Sequence, residues 1–269
     1  MKKRFVSTEY IVSNQVRHKF SLLLALFIFV STLNADFFVQ DELTKVFNVS
    51  PGEIINSSVV LYNPTDRAVN IRLYQGDYTQ DAQGENISVR AGSLPRSNAS
   101  WIRFQSNITL PPHQTLSLPF SINVPNQSDL NGSYWSDLFV EEATEITLSD
   151  PENIAINLRT AVQIINNITN TDRINLMIEN IVCEVDLVSL TLRNNGNRWF
   201  QASVTIDVYN DNAELVGSFI AERNRVYPDF TRRVQIPVRL SSYTNYHAII
   251  VADCGDGYIF GHQISFIID

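Results

Sequence analysis

The stretch Thr115-Leu116-Ser117-Leu118-Pro119-Phe120-Ser121-Ile122-Asn123-Val124 decides how this chain folds. Leu116, Leu118, Phe120, Ile122 and Val124 alternate with Thr115, Ser117, Pro119, Ser121 and Asn123. A period of two sends successive side chains to opposite faces of a pleated strand, so this is a strand with one apolar face. Pro119 has no N–H to give to a ladder, so it must sit on an open edge or mark a break. The same alternation recurs at Val69, Ile71 and Leu73 and at Val204, Ile206 and Val208. Turn-forming clusters separate such runs, among them Asn63-Pro64-Thr65-Asp66, Leu110-Pro111-Pro112-His113, Asn194-Asn195-Gly196-Asn197 and Asn210-Asp211-Asn212. No long amphipathic helix follows residue 35. Many short strands with regular turns predict an all-β chain built as two tandem immunoglobulin-like β-sandwich domains. A polar break over residues 166–173 separates 36–170 from 174–269, each a suitable size for one sandwich.

Two tyrosines fit that class. Asp129-Leu130-Asn131-Gly132-Ser133-Tyr134 leads into the strand pattern Trp135–Val140, and Tyr243-Thr244-Asn245-Tyr246 leads into His247–Ala252. A tyrosine at the start of a late strand, bonding the backbone upstream, is the tyrosine corner of immunoglobulin-like sandwiches. Tyr134 and Tyr246 are therefore candidate structural residues. Trp101 reads as core.

The first 35 residues read as an export signal. Lys2, Lys3, Arg4, Arg17 and Lys19 precede the apolar run Ser21–Leu33, and Ala35 supplies a small residue before Asp36. Cleavage is expected there. The alternative is an uncleaved N-terminal anchor, the sole route to a membrane that the sequence offers. Without residues 1–35 the chain keeps 15 Lys+Arg against 27 Asp+Glu, a net charge of −12. Such a surface repels phosphate backbones and anionic lipid, which argues against nucleic-acid binding. The two cysteines, Cys183 and Cys254, both fall in the second half. In an oxidising compartment such a pair is often bridged, so a disulfide is expected; two separate buried thiols are the alternative.

Nothing in the sequence predicts catalysis. The motifs GxSxG, HExxH, GxGxxG and the phosphate-binding loop are missing, and His113, His247 and His262 stand without partners at ligand or triad spacing. Asp253-Cys254-Gly255-Asp256-Gly257 reads as a hairpin turn rather than a calcium loop. Glu141, Glu142 and Glu145 read as a solvated loop. No cofactor, metal or small-molecule substrate is indicated, so the chain reads as a non-enzyme. Asn-x-Ser/Thr sequons occur, for example at Asn48, Asn98 and Asn107; in an Asn-rich chain chance produces them, and they matter only in a eukaryotic secretory route.

The segment Ile154–Ile165 is the most suggestive. Ile154, Ile156, Leu158, Thr160, Val162 and Ile164 share one parity. That face either packs into the first core or is in part an edge offered to a partner strand.

Residues 36–165 resemble the N-terminal domain of the PapD-like periplasmic pilus-assembly chaperones. The resemblance is carried by Val46–Glu53, Val59-Val60-Leu61-Tyr62-Asn63-Pro64, Ser100-Trp101-Ile102, Ile108–Pro112, Val124-Pro125 and Gly132–Leu138. Residues 174–269 resemble the second domain of those chaperones more weakly. The resemblance implies a periplasmic chaperone-like factor whose partner is another β-rich exported protein, completed by Ile154, Ile156 and Leu158. It also implies a basic pair in the interdomain cleft that holds the partner's C-terminal carboxylate. Gln163 stands near where that strand would carry its Lys, and no Arg at the start of the domain matches. A structural or adhesive module on the cell surface is the alternative.

Overall fold

The computed structural model describes residues 36–81, 83–143, 159–241 and 244–268. The segment 1–35 and the residues Ile154, Ile156 and Leu158 lie outside them. The first sandwich contains β1 (Phe38–Val39), β2 (Thr44–Val49), β3 (Ile54–Tyr62), β4 (Val69–Gln80) and β5 (Asn86–Arg90), then β6 (Ile102–Phe104), β7 (Asn107–Leu110), β8 (Thr115–Asn123), β9 (Ser133–Glu142) and β10 (Arg159–Ile168). One sheet runs β1-β3-β8-β6. The other runs β2-β10-β9-β4-β5, with β7 also paired to β4. The alternating stretch quoted first is β8: Leu118, Phe120 and Ile122 are buried, while Ser117 and Pro119 are exposed. β6 reaches β8 only at Phe120–Ile122, so among the described residues Pro119 lies where β8 has β3 on one side and no strand on the other. Trp101, Leu138, Val162 and Ile164 fill the same core.

The second sandwich contains β11 (Leu176–Cys183), β12 (Leu187–Asn194), β13 (Phe200–Asn210), β14 (Leu215–Ile220), β15 (Asn224–Val226), β16 (Thr231–Pro237), β17 (Thr244–Asp253) and β18 (Ile259–Ile268). Its sheets run β11-β12-β16 and β14-β13-β17-β18, with β15 paired to β13. The alternation in 203–208 buries Val204, Ile206 and Val208. The Tyr246 hydroxyl accepts the Ser241 N–H at 2.8 Å and donates to the Ser241 carbonyl at 3.4 Å, pinning the backbone five residues upstream. Tyr134 behaves differently. Its ring lies against Trp101, centroids 4.8 Å apart, under the Arg96 guanidinium, and its hydroxyl makes no hydrogen bond among the described residues. The Asp253–Gly257 stretch is the β17–β18 turn, with Asp253 Oδ1 accepting the Gly255 N–H at 2.9 Å.

The expected Cys183–Cys254 bridge is not formed; both thiols are free. The topology gives the reason. β11 leaves the interdomain junction at Leu176 and reaches Cys183 seven residues later, about 23 Å away in an extended strand. β17 runs so that Cys254 follows its last residue beside Ile174 and Arg198, at the junction. The two thiols thus sit at opposite ends of the sandwich, whereas a bridge needs Cα atoms within about 7 Å.

The junction is a backbone contact. Asn197, in the β12–β13 turn, accepts the Ser133 N–H at 2.8 Å and donates its Nδ2 to the Thr171 carbonyl at 2.9 Å. The Ser133 hydroxyl donates to Asn167 Oδ1 at 2.7 Å and accepts the Trp199 N–H at 3.0 Å. Gly132 permits this approach. It sits at φ +64°, and a Cβ there would lie 1.9 Å from the Asn197 carbonyl oxygen. Beside it Tyr78, Trp135 and Ile165 of the first sandwich meet Tyr227, Trp199 and Phe230 of the second. The hydroxyls of Tyr78 and Tyr227 are 2.6 Å apart, and the Trp135 and Tyr227 rings are 4.8 Å apart.

Two outcomes follow. Maleimide labelling of denatured, unreduced protein should find both thiols free; a single disulfide-linked species would contradict the fold described. Gly132→Ala should lower stability by about 3 kcal/mol, from left-handed backbone strain plus the clash with Asn197. That amounts to about 10 °C in melting temperature. Gly92→Ala, also at positive φ but with nothing within 4 Å of its added Cβ, should cost far less.

Candidate functional site: the free edge of β10 and the interdomain cleft

β10 is a strand with two different halves. Against β9 it is antiparallel from Arg159 to Asn167. Against β2 it is parallel, and only from Gln163 to Ile168. Among the described residues, Arg159–Val162 therefore have β9 on one side and no strand on the other. The direction of the backbone groups is fixed by one bond: the Gln163 N–H donates to the Leu43 carbonyl at 2.8 Å, on the β2 side. By the period of two, the N–H and C=O groups of Ala161 and Arg159 point the same way, into the open edge.

Side chains follow the same parity. Val162 and Ile164 point into the first core and are fully buried. The apolar parity that begins at Ile154 in the sequence thus ends inside the sandwich. Arg159 is exposed and lies over the Phe139 ring at 4.2 Å. Glu141 and Glu142 are the end of β9 rather than a loop, and each is paired: Glu141 with Arg72 and with the Tyr74 hydroxyl at 2.8 Å, Glu142 with Arg67 at 3.0 Å.

At the inner end of the free edge the chain buries polar groups. Gln163 accepts from Arg225 Nη1 at 2.5 Å and from the Thr44 hydroxyl at 3.2 Å. Arg225 belongs to β15, so the second sandwich supplies the positive charge beside the position where the resemblance expects a Lys. Cross-strand from Gln163 stands Asp137, 3% exposed, and its Oδ1 is buried without a partner among the described residues. Burial pushes the Asp137 carboxyl up to about 7; the Arg159 charge opposes this and the Asp77 charge adds to it. Tyr227 is pushed up to about 12 by burial, with Tyr78 and Arg225 partly offsetting. Both phenols are thus neutral at any physiological pH. On the β2 side, a cleft of about 300 Å³ between the sandwiches is lined by Asn48, Asn167, Arg198, Trp199 and Cys254 among others. Arg198 is already bound to Asp172 there. This set offers hydrogen bonds and a guanidinium; it contains no nucleophile–base pair, and no group of His, Cys, Asp or Glu among the described residues is arranged to hold a metal.

No protein-family model matches the sequence, and no curated protein does. Solved structures do match. A chain from the chaperone–tip adhesin complex of CFA/I fimbriae biogenesis aligns with a TM-score of 0.50 at 14% identity, over 87% of this chain and 99% of that one. The chain has the fold of the two-domain fimbrial chaperones. The class 5 fimbriae chaperone CfaA aligns at 14% identity and a TM-score of 0.49, over 86% of this chain and 99% of its own. A chain from the CsuC–CsuE chaperone–tip adhesion subunit complex of Acinetobacter baumannii aligns at 12% and 0.43, over 87% and 100%. The first of these alignments spans both sandwiches of this chain, not the first alone.

Asp137 and Arg225 carry no sequence signal of their own. Asp137 is a single polar residue between Trp135 and Phe139 in a strand pattern, and Arg225 is an isolated basic residue.

The pH dependence of stability should expose Asp137. Its folded pKa, about 7, lies above the ordinary value of 3.8. The stability it contributes is therefore complete below about pH 4 and is lost as pH rises through about 7. Above that the ionised form costs of order 4 kcal/mol. Asp137→Asn should match the parent near pH 4 and melt several degrees higher at pH 8. Parallel melting profiles for the two proteins across that range would mean that Asp137 is not held neutral.

Proposed function

We propose that this chain is an exported, non-catalytic, chaperone-like factor that assists assembly of surface or pilus proteins by β-strand addition. One observation carries the reading: the backbone of Arg159–Val162 is laddered to β9 and, among the described residues, has no strand on its other side. An unpaired strand edge is a template for another chain, with main-chain hydrogen bonds supplying affinity and side-chain pockets supplying specificity. The fold it shares with a chain solved in a chaperone–tip adhesin complex supports the same use. The partner in this reading is a β-rich exported subunit and the compartment is the periplasm, reached through the signal in residues 1–35. In this reading Ile154, Ile156 and Leu158, which precede the described part of β10 in sequence, are the alternating apolar side chains offered to the partner. A terminal carboxylate of the partner would find its positive charge in Arg225, since Gln163 has none.

The test is a proline on the edge. Ala161→Pro removes an N–H that the open side leaves unused, so the fold should survive with its melting temperature little changed. A photo-cross-linker replacing Arg159 should capture a strand-deficient β-sandwich subunit in the producing cells. Adding Ala161→Pro should reduce that capture about tenfold, the worth of one or two main-chain hydrogen bonds. Undiminished capture by a folded Ala161→Pro protein would place the partner elsewhere.

A further inference from the structure

Among the described residues β18 (Ile259–Ile268) closes the sheet β14-β13-β17-β18 and has no strand on its far side. It pairs with β17 at all ten of its positions without a register shift. It carries no Lys, Arg, Asp, Glu or Pro. A long, flat, uncharged edge is a template for another chain, and sequences ordinarily blunt such edges with charge, proline, a bulge or brevity. The other edges of this chain are blunted in those ways. β2 carries Lys45 and β5 carries Arg90. β11 and β14 meet their neighbours with a register shift. β16 holds Arg232, Arg233 and Pro237, and β1, β6, β7 and β15 have four residues or fewer.

The order of residues in β18 says what fits it. Ile259-Phe260-Gly261-His262-Gln263-Ile264-Ser265-Phe266-Ile267 reads nearly the same from either end, with Gln263 at its centre. The backbone agrees with that centre. The Cys254 N–H donates to the Tyr258 carbonyl at 2.9 Å, so Tyr258 and every second residue after it turn their N–H and C=O towards β17. Those of Ile259, Gly261, Gln263, Ser265 and Ile267 face the open edge. A second β18, laid antiparallel across a two-fold axis at Gln263, sets Gln263 against itself, Gly261 against Ser265 and Ile259 against Ile267. Every one of these pairs has outward-facing groups on both sides, which gives about ten main-chain hydrogen bonds. Phe260 then falls opposite Phe266 in a narrow pair, where cross-strand side chains come closest. In the single chain Phe260, Ile264 and Phe266 are only partly buried against the second core, and Ile259 and Ile267 are 65% and 62% exposed. A Cβ added to Gly261 would meet only the Ile250 carbonyl oxygen, at 3.9 Å, so the packing of one chain does not require a glycine there. Opposite Ser265 of a second copy, it lets the two backbones lie close.

We infer that this chain forms a symmetric dimer through β18, which joins β14-β13-β17-β18 of two copies into one continuous sheet. The strand is a strip without acidic groups on a chain of net charge −8, so the pairing sets no like charges opposite one another. The interface is isologous: each copy gives and receives the same contacts. It lies in the second sandwich and does not use the edge at Arg159–Val162, so it stands whether or not that edge takes a partner.

Sedimentation velocity on the full chain over a dilution series should show a reversible monomer–dimer equilibrium; a monomer at every concentration up to the millimolar range overturns the proposal. Gln263→Pro removes an N–H that the single chain leaves unused, and symmetry removes it twice per dimer. The variant should keep its melting temperature and raise the dimer dissociation constant about thirtyfold, the worth of two main-chain hydrogen bonds. A folded Gln263→Pro protein that dimerises like the parent overturns the proposal. Ala161→Pro should leave the dimer intact; loss of the dimer in that variant would put the interface on β10 and overturn it too. If Gln263→Pro fails to fold, Gln263→Cys in a Cys183→Ser background decides. The axis places residue 263 of the two copies about 5.5 Å apart, so mild oxidation should link them. Gly261→Cys in the same background, about 14 Å from its own mate, should stay unlinked. No linkage at 263, or equal linkage at 261, overturns the proposal.

Discussion

The contact of Gly132 with the carbonyl of Asn197 is the constraint on which the rest of the molecule depends. A glycine in the left-handed region lets a turn of the second sandwich touch the start of β9, and no residue with a Cβ fits there. Once that contact is made, Ser133 reaches Asn197 and Trp199, Trp135 lies on Tyr227, and the two tyrosine hydroxyls meet at 2.6 Å. Arg225 then arrives at Gln163. The polar cluster under β10 is therefore a property of neither sandwich alone. It exists because β9 and β15 are held in register across the junction by a backbone contact, with the aromatic cluster excluding water around it.

That arrangement explains how a carboxylate can remain buried beside a strand edge. Asp137 loses its hydration when Trp135, Ile165 and Tyr227 close over the neighbouring surface, and one of its oxygens gains no donor in return. Gln75 Nε2 and Asn166 Nδ2 of the same sheet are likewise buried without a partner among the described residues, whereas the neighbouring carboxylate is satisfied. Asp77 beneath it accepts from Ser97 at 2.7 Å and from the Leu94 N–H at 3.1 Å. Unsatisfied groups in a native fold collect where something other than stability has shaped the residues, and this one stands next to the unpaired half of β10.

Much of the architecture was legible from periodicity. The alternations at Thr115–Asn123 and 203–208 are β8 and part of β13, and the sequence preceding Tyr246 places its hydroxyl on backbone upstream. These succeed because a half-buried strand writes its two faces directly into the order of residues. Pairing across the sandwich is not written there. Cys183 and Cys254 look alike in sequence, and only the direction in which β11 and β17 run separates them. The Tyr134 expectation failed for a related reason: the same Gly-Ser-Tyr turn was already committed to the junction, leaving the ring to pack on Trp101. Glu141 and Glu142 read as loop because their basic partners, Arg72 and Arg67, lie about 70 residues away in sequence. Arg225 was invisible because its meaning lies wholly in a residue of the other sandwich.

β2 is six residues long and parallel to β10, and that length acts as a stop. It occupies the row beside β10 as far as Leu43, whose carbonyl already takes the Gln163 N–H. Any strand laid on the remaining four residues must share that row, collinear with β2, and must end where Leu43 begins. Among the described residues that row is unfilled for about 13 Å at strand rise. Lengthening β2 by two residues would halve it, and shortening β2 by two would expose the Gln163–Arg225 pair along the row. β2 is thus a ruler for its own neighbour, setting the length of edge that β10 leaves beside it.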